Sequence, residues 1–223
     1  DGGATAKFAM AIWKSKVRFI GAGAIGIAAI WTLITLIKPI IEGMKISVTS
    51  MNSSAAERET HRMNTDMSTK SVLIVFAIIL IGLVITFWDF VSAVPISAGL
   101  MWTLVVVGVV VALLIGFFVA AACGYMAGLI GTSASPISGI GILATIISSL
   151  VVYFIASENN LFATEAGVQF ATAMAIFMTS VVIAIASISN DNLQDLKTGQ
   201  LVGATPWRQQ IALLLGSVAG AIA

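Results

Sequence analysis

Long apolar runs separated by short polar stretches set the pattern of this chain. One run covers 19–37, between Arg18 and Lys38, and another covers 71–88, between Lys70 and Asp89. Others cover about 100–123, 137–156 and 166–189, and a sixth begins at Ile211 and reaches Ala223. A bilayer core is about 30 Å thick and a helix rises about 1.5 Å per residue, so a crossing takes roughly 20 apolar residues. The first five runs are long enough. Backbone amides in hydrocarbon must pair inside their own segment or within a closed barrel. These runs are rich in Val and Ile, yet they lack the period-two alternation of a barrel strand. The pattern therefore predicts an all-α fold, a polytopic transmembrane helical bundle.

Its most informative irregularity lies between the third and fourth runs. No Asp, Glu, Lys, Arg or His occurs from 90 to 157, a stretch too long for two spans. Within it, 124–139 reads Gly-Tyr-Met-Ala-Gly-Leu-Ile-Gly-Thr-Ser-Ala-Ser-Pro-Ile-Ser-Gly. That segment is apolar enough to stay near the membrane, but its Gly, Ser and Pro break helices. A broken or re-entrant segment around 124–141 is expected, sheltered by protein or lining a water-filled cavity.

Three polar connections remain, at 42–70, 157–165 and 190–210. The first holds Glu57 and His61, four apart and able to share a short helical face. Lys and Arg favour the cytoplasmic side of membrane proteins. Loops 42–70 and 190–210 are thus expected inside, and the base-free 157–165 loop outside. Lys7, Lys14, Lys16 and Arg18 then fall on the outer side, where 1–18 would form a basic, amphipathic approach to a 19–223 membrane domain.

Composition excludes the competing classes. Hydrophobic residues make up 59% of the chain and charged ones 9%, with mean hydropathy +1.06. Soluble domains carry about 25% charge, so this chain needs lipid as its solvent. Net charge is +1 with scattered basic residues, which gives no case for nucleic acid. The single Cys123 can form no intrachain disulfide. Asp1 and the apolar Ala223 read as cut ends, and no signal peptide is visible.

Several motifs are weaker than their spelling. Gly-Ala-Gly-Ala-Ile-Gly at 21–26 matches the dinucleotide fingerprint, but it lies inside a span with no preceding strand. Close helix packing by small residues is the expected role. The same holds for the pairs Gly124/Gly128 and Gly216/Gly220. Gly131-Thr-Ser133 lacks the nearby histidine base an intramembrane protease needs. Asn52-Ser-Ser54 spells a glycosylation site, expected to be unused in a cytoplasmic loop. Asp89 reads as a solvated acid at a span end. Asp191 and Asp195, four apart, share a helical face near Lys197 and are either a polar turn or cavity groups that bind a solute or a proton. No constellation supports an enzyme, a metal site or a cofactor.

Two of these segments carry a resemblance. The 124–139 stretch is similar to the Gly-Leu-(Ile/Val)-Gly-Ser-Ser-x-x-Pro-(Val/Ile)-Ser-Gly stretch of prokaryotic members of the oligopeptide transporter family. Residues 195–210, Asp-Leu-Lys-Thr-Gly-Gln-Leu-Val-Gly-Ala-Thr-Pro-Trp-Arg-Gln-Gln, resemble the family's Gln-Asp-Leu-Lys-Thr-Gly…Gly-Ala-Thr-Pro…Gln-Gln segment. Residues 18–24 and 31–34 look like the span before its long loop. Ala134 and Ser135 stand where relatives often have Asn, and Trp207 lies between Pro206 and Arg208.

The resemblance implies a secondary active transporter in the inner or plasma membrane, with protons as the driving partner. Its substrate would be a small peptide or, as in the related yellow-stripe-like branch, a metal chelate. Family members are much longer, so this chain is expected to be a central third that works with the remainder of the same chain. Transporters bind solutes at helix breaks. Gly128, Gly131, Ser133, Ser135, Pro136, Ser138 and Gly139 are accordingly the expected substrate path. Asp191, Asp195 and Lys197 are the expected cytoplasmic mouth or coupling groups. A non-transporting membrane scaffold and a channel are the alternatives.

Overall fold

The computed structural model describes residues 2–52 and 62–222, and the described part is built of helices. Helix α1 (Gly2–Ile12) passes through a π-helical turn (Trp13–Val17) into α2 (Arg18–Asn52). A short 3-10 turn (Arg62–Asn64) leads into α3 (Thr69–Ser92), followed by α4 (Ala98–Ile130), α5 (Ile137–Glu158), α6 (Glu165–Leu201) and α7 (Pro206–Ile222). Among the described residues, five helices are long and apolar enough to cross a membrane. Glu57, His61 and the two serines after Asn52 lie outside the described residues.

Local chemistry sets the helix ends. Ser68, Ser97 and Thr164 cap α3, α4 and α6, their hydroxyls accepting from the amides of Ser71, Leu100 and Gly167 at 3.2, 3.4 and 3.1 Å. Inside the spans, Thr32, Thr86, Thr103, Thr145 and Thr172 donate to the carbonyl four residues back. Each hydroxyl is thereby satisfied without a partner from lipid or another helix.

The centre is a parallel pair, α4 with α6. Ser189 Oγ donates to Ala120 O at 2.8 Å across 69 positions. Gly116 faces Ile185 and Gly124 faces Leu193 at the same offset, which fixes the parallel register. Helix α5 runs antiparallel to α6, with Gly141 facing Ile183, and α2 runs antiparallel to α5, with Gly139 tight against Ala29. One apolar cluster joins Phe87 and Val91 of α3 to Leu104, Val109, Val152, Met174 and Met178. Phe177 stacks on Phe90 at 4.2 Å and meets Phe87 edge-on at 5.1 Å. A second cluster joins Val119, Cys123, Ile140, Ala144, Val182 and Ala186.

Helix lengths place the corners. The 22 residues of α5 span about 33 Å, one bilayer core. The 33 residues of α4 and 37 of α6 span about 50 and 55 Å. Since they run parallel from nearly level starts, both overshoot at the same end. The interruption expected over 124–141 is present there in shorter form. Helix α4 continues to Ile130 and α5 starts at Ile137, so only 131–136 leave the α-helix. Gly124 and Gly128 stay helical because their amides keep helical partners; the absence of side chains at Gly124 lets α6 approach. The break is therefore a corner between two complete crossings, close to one edge of the core.

Small residues serve packing unevenly. Gly26 meets Ile142 of α5, but Gly21, Gly23, Gly216 and Gly220 have nothing within 4 Å of a Cβ position. Helix α2 also continues past the apolar run, through Pro39, to Asn52. The first third of the polar 42–70 connection is thus helical.

Candidate functional site

The corner is held by its own residues. Gly131 ends α4 at φ 94°, ψ 166°, a conformation in which a side chain is strained, and its amide still donates to Ala127 O at 3.0 Å. A 3-10 turn (Thr132–Ala134) follows, and Ser135 N closes it on Thr132 O at 3.2 Å. Pro136, with φ −81°, precedes the first turn of α5, and its carbonyl accepts from Ile140 N at 3.0 Å. Proline fits there because that position needs no amide hydrogen.

Ser135 fastens the corner to the bundle. Its hydroxyl donates to Asn190 Oδ1 and lies 3.3 Å from Cys123 O. Asn190 is buried at 3% exposure, where the apolar run of α6 gives way to its polar end. An amide there needs a partner, since an unmatched buried polar group is costly. Ser133 and Ser138 are exposed, while Gly139 is buried against α2.

Beyond the corner, the overshooting ends of α4 and α6 meet two other segments. Trp207 N donates to Thr65 O at 3.1 Å. Gln210 Oε1 accepts from Met67 N at 2.9 Å, and Gln210 Nε2 donates to Asp66 Oδ1 at 3.2 Å. Residues 65–67 are thus strapped to the first turns of α7. Gln209 lies over Gly199, with Nε2 donating to Asp195 O at 3.3 Å. Between these parts lies an open cavity of about 400 Å³, lined by Met63, Asp66, Gly128, Leu193, Leu196, Lys197, Gln200, Pro206 and Gln210, with Asp66, Lys197 and Gln200 exposed.

The expected residues fall into three groups. Gly131, Ser135 and Pro136 build the corner. Gly128 and Lys197 line the cavity, where Lys197 Nζ donates to Gln200 Oε1 at 2.9 Å. Asp191 and Asp195 are exposed and take no part in its lining. At 100° per residue they stand on the side of α6 roughly opposite Leu193, Leu196, Lys197 and Gln200. The trio expected at the mouth is therefore split across a helix. Asp89 is exposed in the last turn of α3.

Sequence reasoning missed Asp66, Asn190, Gln200 and Gln210 as neighbours. Asn190 carried a usable signal, an amide at the end of an apolar run. Asp66 carried none, because it meets Gln210 across 144 positions. Among the described residues, no group of three or more His, Cys, Asp or Glu side chains could hold a metal ion.

Comparison with known proteins places the chain in a family. The family model described as "OPT oligopeptide transporter protein" matches residues 4–223. Over 214 residues the chain is 53% identical to a Haemophilus influenzae protein described as "Putative oligopeptide transporter", covering 96% of this chain and 34% of that protein. The chain thus spans about a third of the length of that curated relative. No solved structure matches. With five membrane-length helices and a family match across nearly its whole length, this multi-pass membrane chain belongs to the OPT oligopeptide transporter family.

Proposed function

We propose that the full-length protein is a secondary active transporter carrying oligopeptides across the inner or plasma membrane, coupled to protons, and that this chain forms part of the solute path. The observation that carries the reading is a cavity at the end of the bundle where the chain breaks at 131–136, lined by Asp66, Lys197, Gln200 and Gln210 together with Gly128 of α4. Helix breaks free backbone groups for a solute. The exposed hydroxyls of Ser133 and Ser138 add donors and acceptors beside them. Membership of an oligopeptide transporter family supports peptide as the solute.

The corner end is assigned to the cytoplasm, because Arg62, Lys70, Lys197 and Arg208 lie at or beside its loops while 93–97 and 159–164 carry no base. In this reading Asp191 and Asp195, exposed to water, are the candidate proton-exchanging groups. The test is uptake of a labelled tetrapeptide by full-length protein in vesicles with an imposed proton gradient. Transport against the peptide gradient is expected. Flux that only runs down it indicates a channel, and none at all a scaffold. Gly131→Leu should lower uptake about tenfold or more, the equivalent of ~1.4 kcal/mol of backbone strain. Pro136→Leu should lower it less. Undiminished transport by both at normal abundance removes the corner from the path.

A further inference from the structure

We propose that the cavity at the corner end is a subsite for a zwitterion: Lys197 takes the C-terminal carboxylate of a short peptide and Asp66 takes its free amino group. The inference rests on the transport reading and adds the recognition chemistry.

Two opposite full charges line one cavity from different walls, Lys197 from α6 and Asp66 from the strap before α3. They do not pair with each other. Lys197 Nζ is held by the neutral Gln200 side chain, and Asp66 is held through Oδ1 alone by the neutral Gln210 side chain. An ammonium has three donors and a carboxylate two accepting oxygens, so both groups, exposed at the open cavity, keep hydrogen-bonding capacity for a solute. A lone cation would be drawn to Asp66 and repelled by Lys197, and a lone anion the reverse. A small solute bearing both charges complements both walls.

The remaining lining suits a peptide of varied sequence. At Gly128 nothing lies within 4 Å of a Cβ position, so a solute backbone can approach α4 closely. Leu193, Leu196 and Pro206 offer apolar surface that discriminates little between side chains. A volume of about 400 Å³ lies within the roughly 300–1,000 Å³ range of small-molecule sites. Gln210 acts as a positioning residue, since it holds both the Asp66 carboxylate and the Met67 amide.

The experiment uses full-length protein in vesicles. Uptake of a labelled tetrapeptide is competed by trialanine in free, C-terminally amidated and N-acetylated forms. For the wild type, free trialanine should compete about tenfold better than either blocked form, the scale of one charge-assisted hydrogen bond. Lys197→Gln should erase only the preference for a free carboxylate, and Lys197→Arg should keep it. Asp66→Asn should erase only the preference for a free amine. Where a variant no longer transports, the same three forms are compared by thermal shift of the purified full-length variant. A wild type indifferent to blocking, or variants that keep both preferences or lose both together, overturns the subsite. Absence of any uptake by the wild type instead overturns the transport reading on which it rests.

Discussion

The two ends of the bundle are held together differently. At the corner end, hydrogen bonds link segments far apart in sequence: Ser135 to Asn190, Ser189 to Ala120, Gln210 to Asp66 and Met67, and Gln209 to Asp195. At the opposite end, the hydrogen-bonding side chains among the described residues serve local caps and turns, as Asn159 does toward Ile155 O at 2.8 Å. Cohesion there comes from the interlocked rings of Phe87, Phe90 and Phe177 and the apolar cluster around them. Close packing has few alternative arrangements of similar energy. Polar bonds at a watery edge can be exchanged for bonds to water or to a solute at small net cost.

The largest expected effect tests the fixed end. Phe87 is fully buried and seats on Gly108, where a Cβ would collide with its ring. Phe87→Ala should cost about 3–5 kcal/mol, seen as a lower thermal unfolding temperature of the full-length protein in detergent. A loss under about 1 kcal/mol would mean that this cluster does not anchor the bundle.

A smaller effect separates two glycines of the corner end. Gly131→Ala should cost about 1–3 kcal/mol because of its backbone conformation. Gly128→Ala should cost nothing and raise stability by up to about 1 kcal/mol, because open space surrounds its Cβ position and alanine favours the helix. Equal losses at both sites would contradict the distinction between a strained corner and a cavity floor.

The smallest effect concerns the strap. Gln210→Leu removes two hydrogen bonds at a partly exposed site, about 1–2 kcal/mol at most. Hydrogen exchange at the Met67 amide should accelerate while exchange near Phe177 stays unchanged. If both regions respond together, the two ends are one cooperative unit rather than two.

Much of the fold was legible from the chain because hydrocarbon imposes simple demands. A run such as 71–88 has to be helical in lipid whatever its Val and Ile content. The corner was legible as a location, since Gly131 and Pro136 punctuate any helix. Its extent was not. Gly124 and Gly128 look like breakers in a list of residues, yet in α4 they are ordinary helical positions, one letting α6 approach and the other open to a cavity. Asp191 and Asp195 illustrate the opposite case. Their spacing correctly put them on one face of a helix, but only the placement of α7 and the 65–67 strap decided which face of α6 looks into the cavity.

The sequence by itself determined the solvent of this protein, the helical state of its long apolar segments and the position of its main break. Those properties depend on local composition and on the energy of unpaired amides in lipid. Which charges share a cavity was decided by tertiary structure alone. Lys197, Asp66 and Gln210 come together because α4 and α6 run parallel and overshoot at one end, so that distant polar segments must close over them. No local rule links residues 144 positions apart; the register of packed helices does.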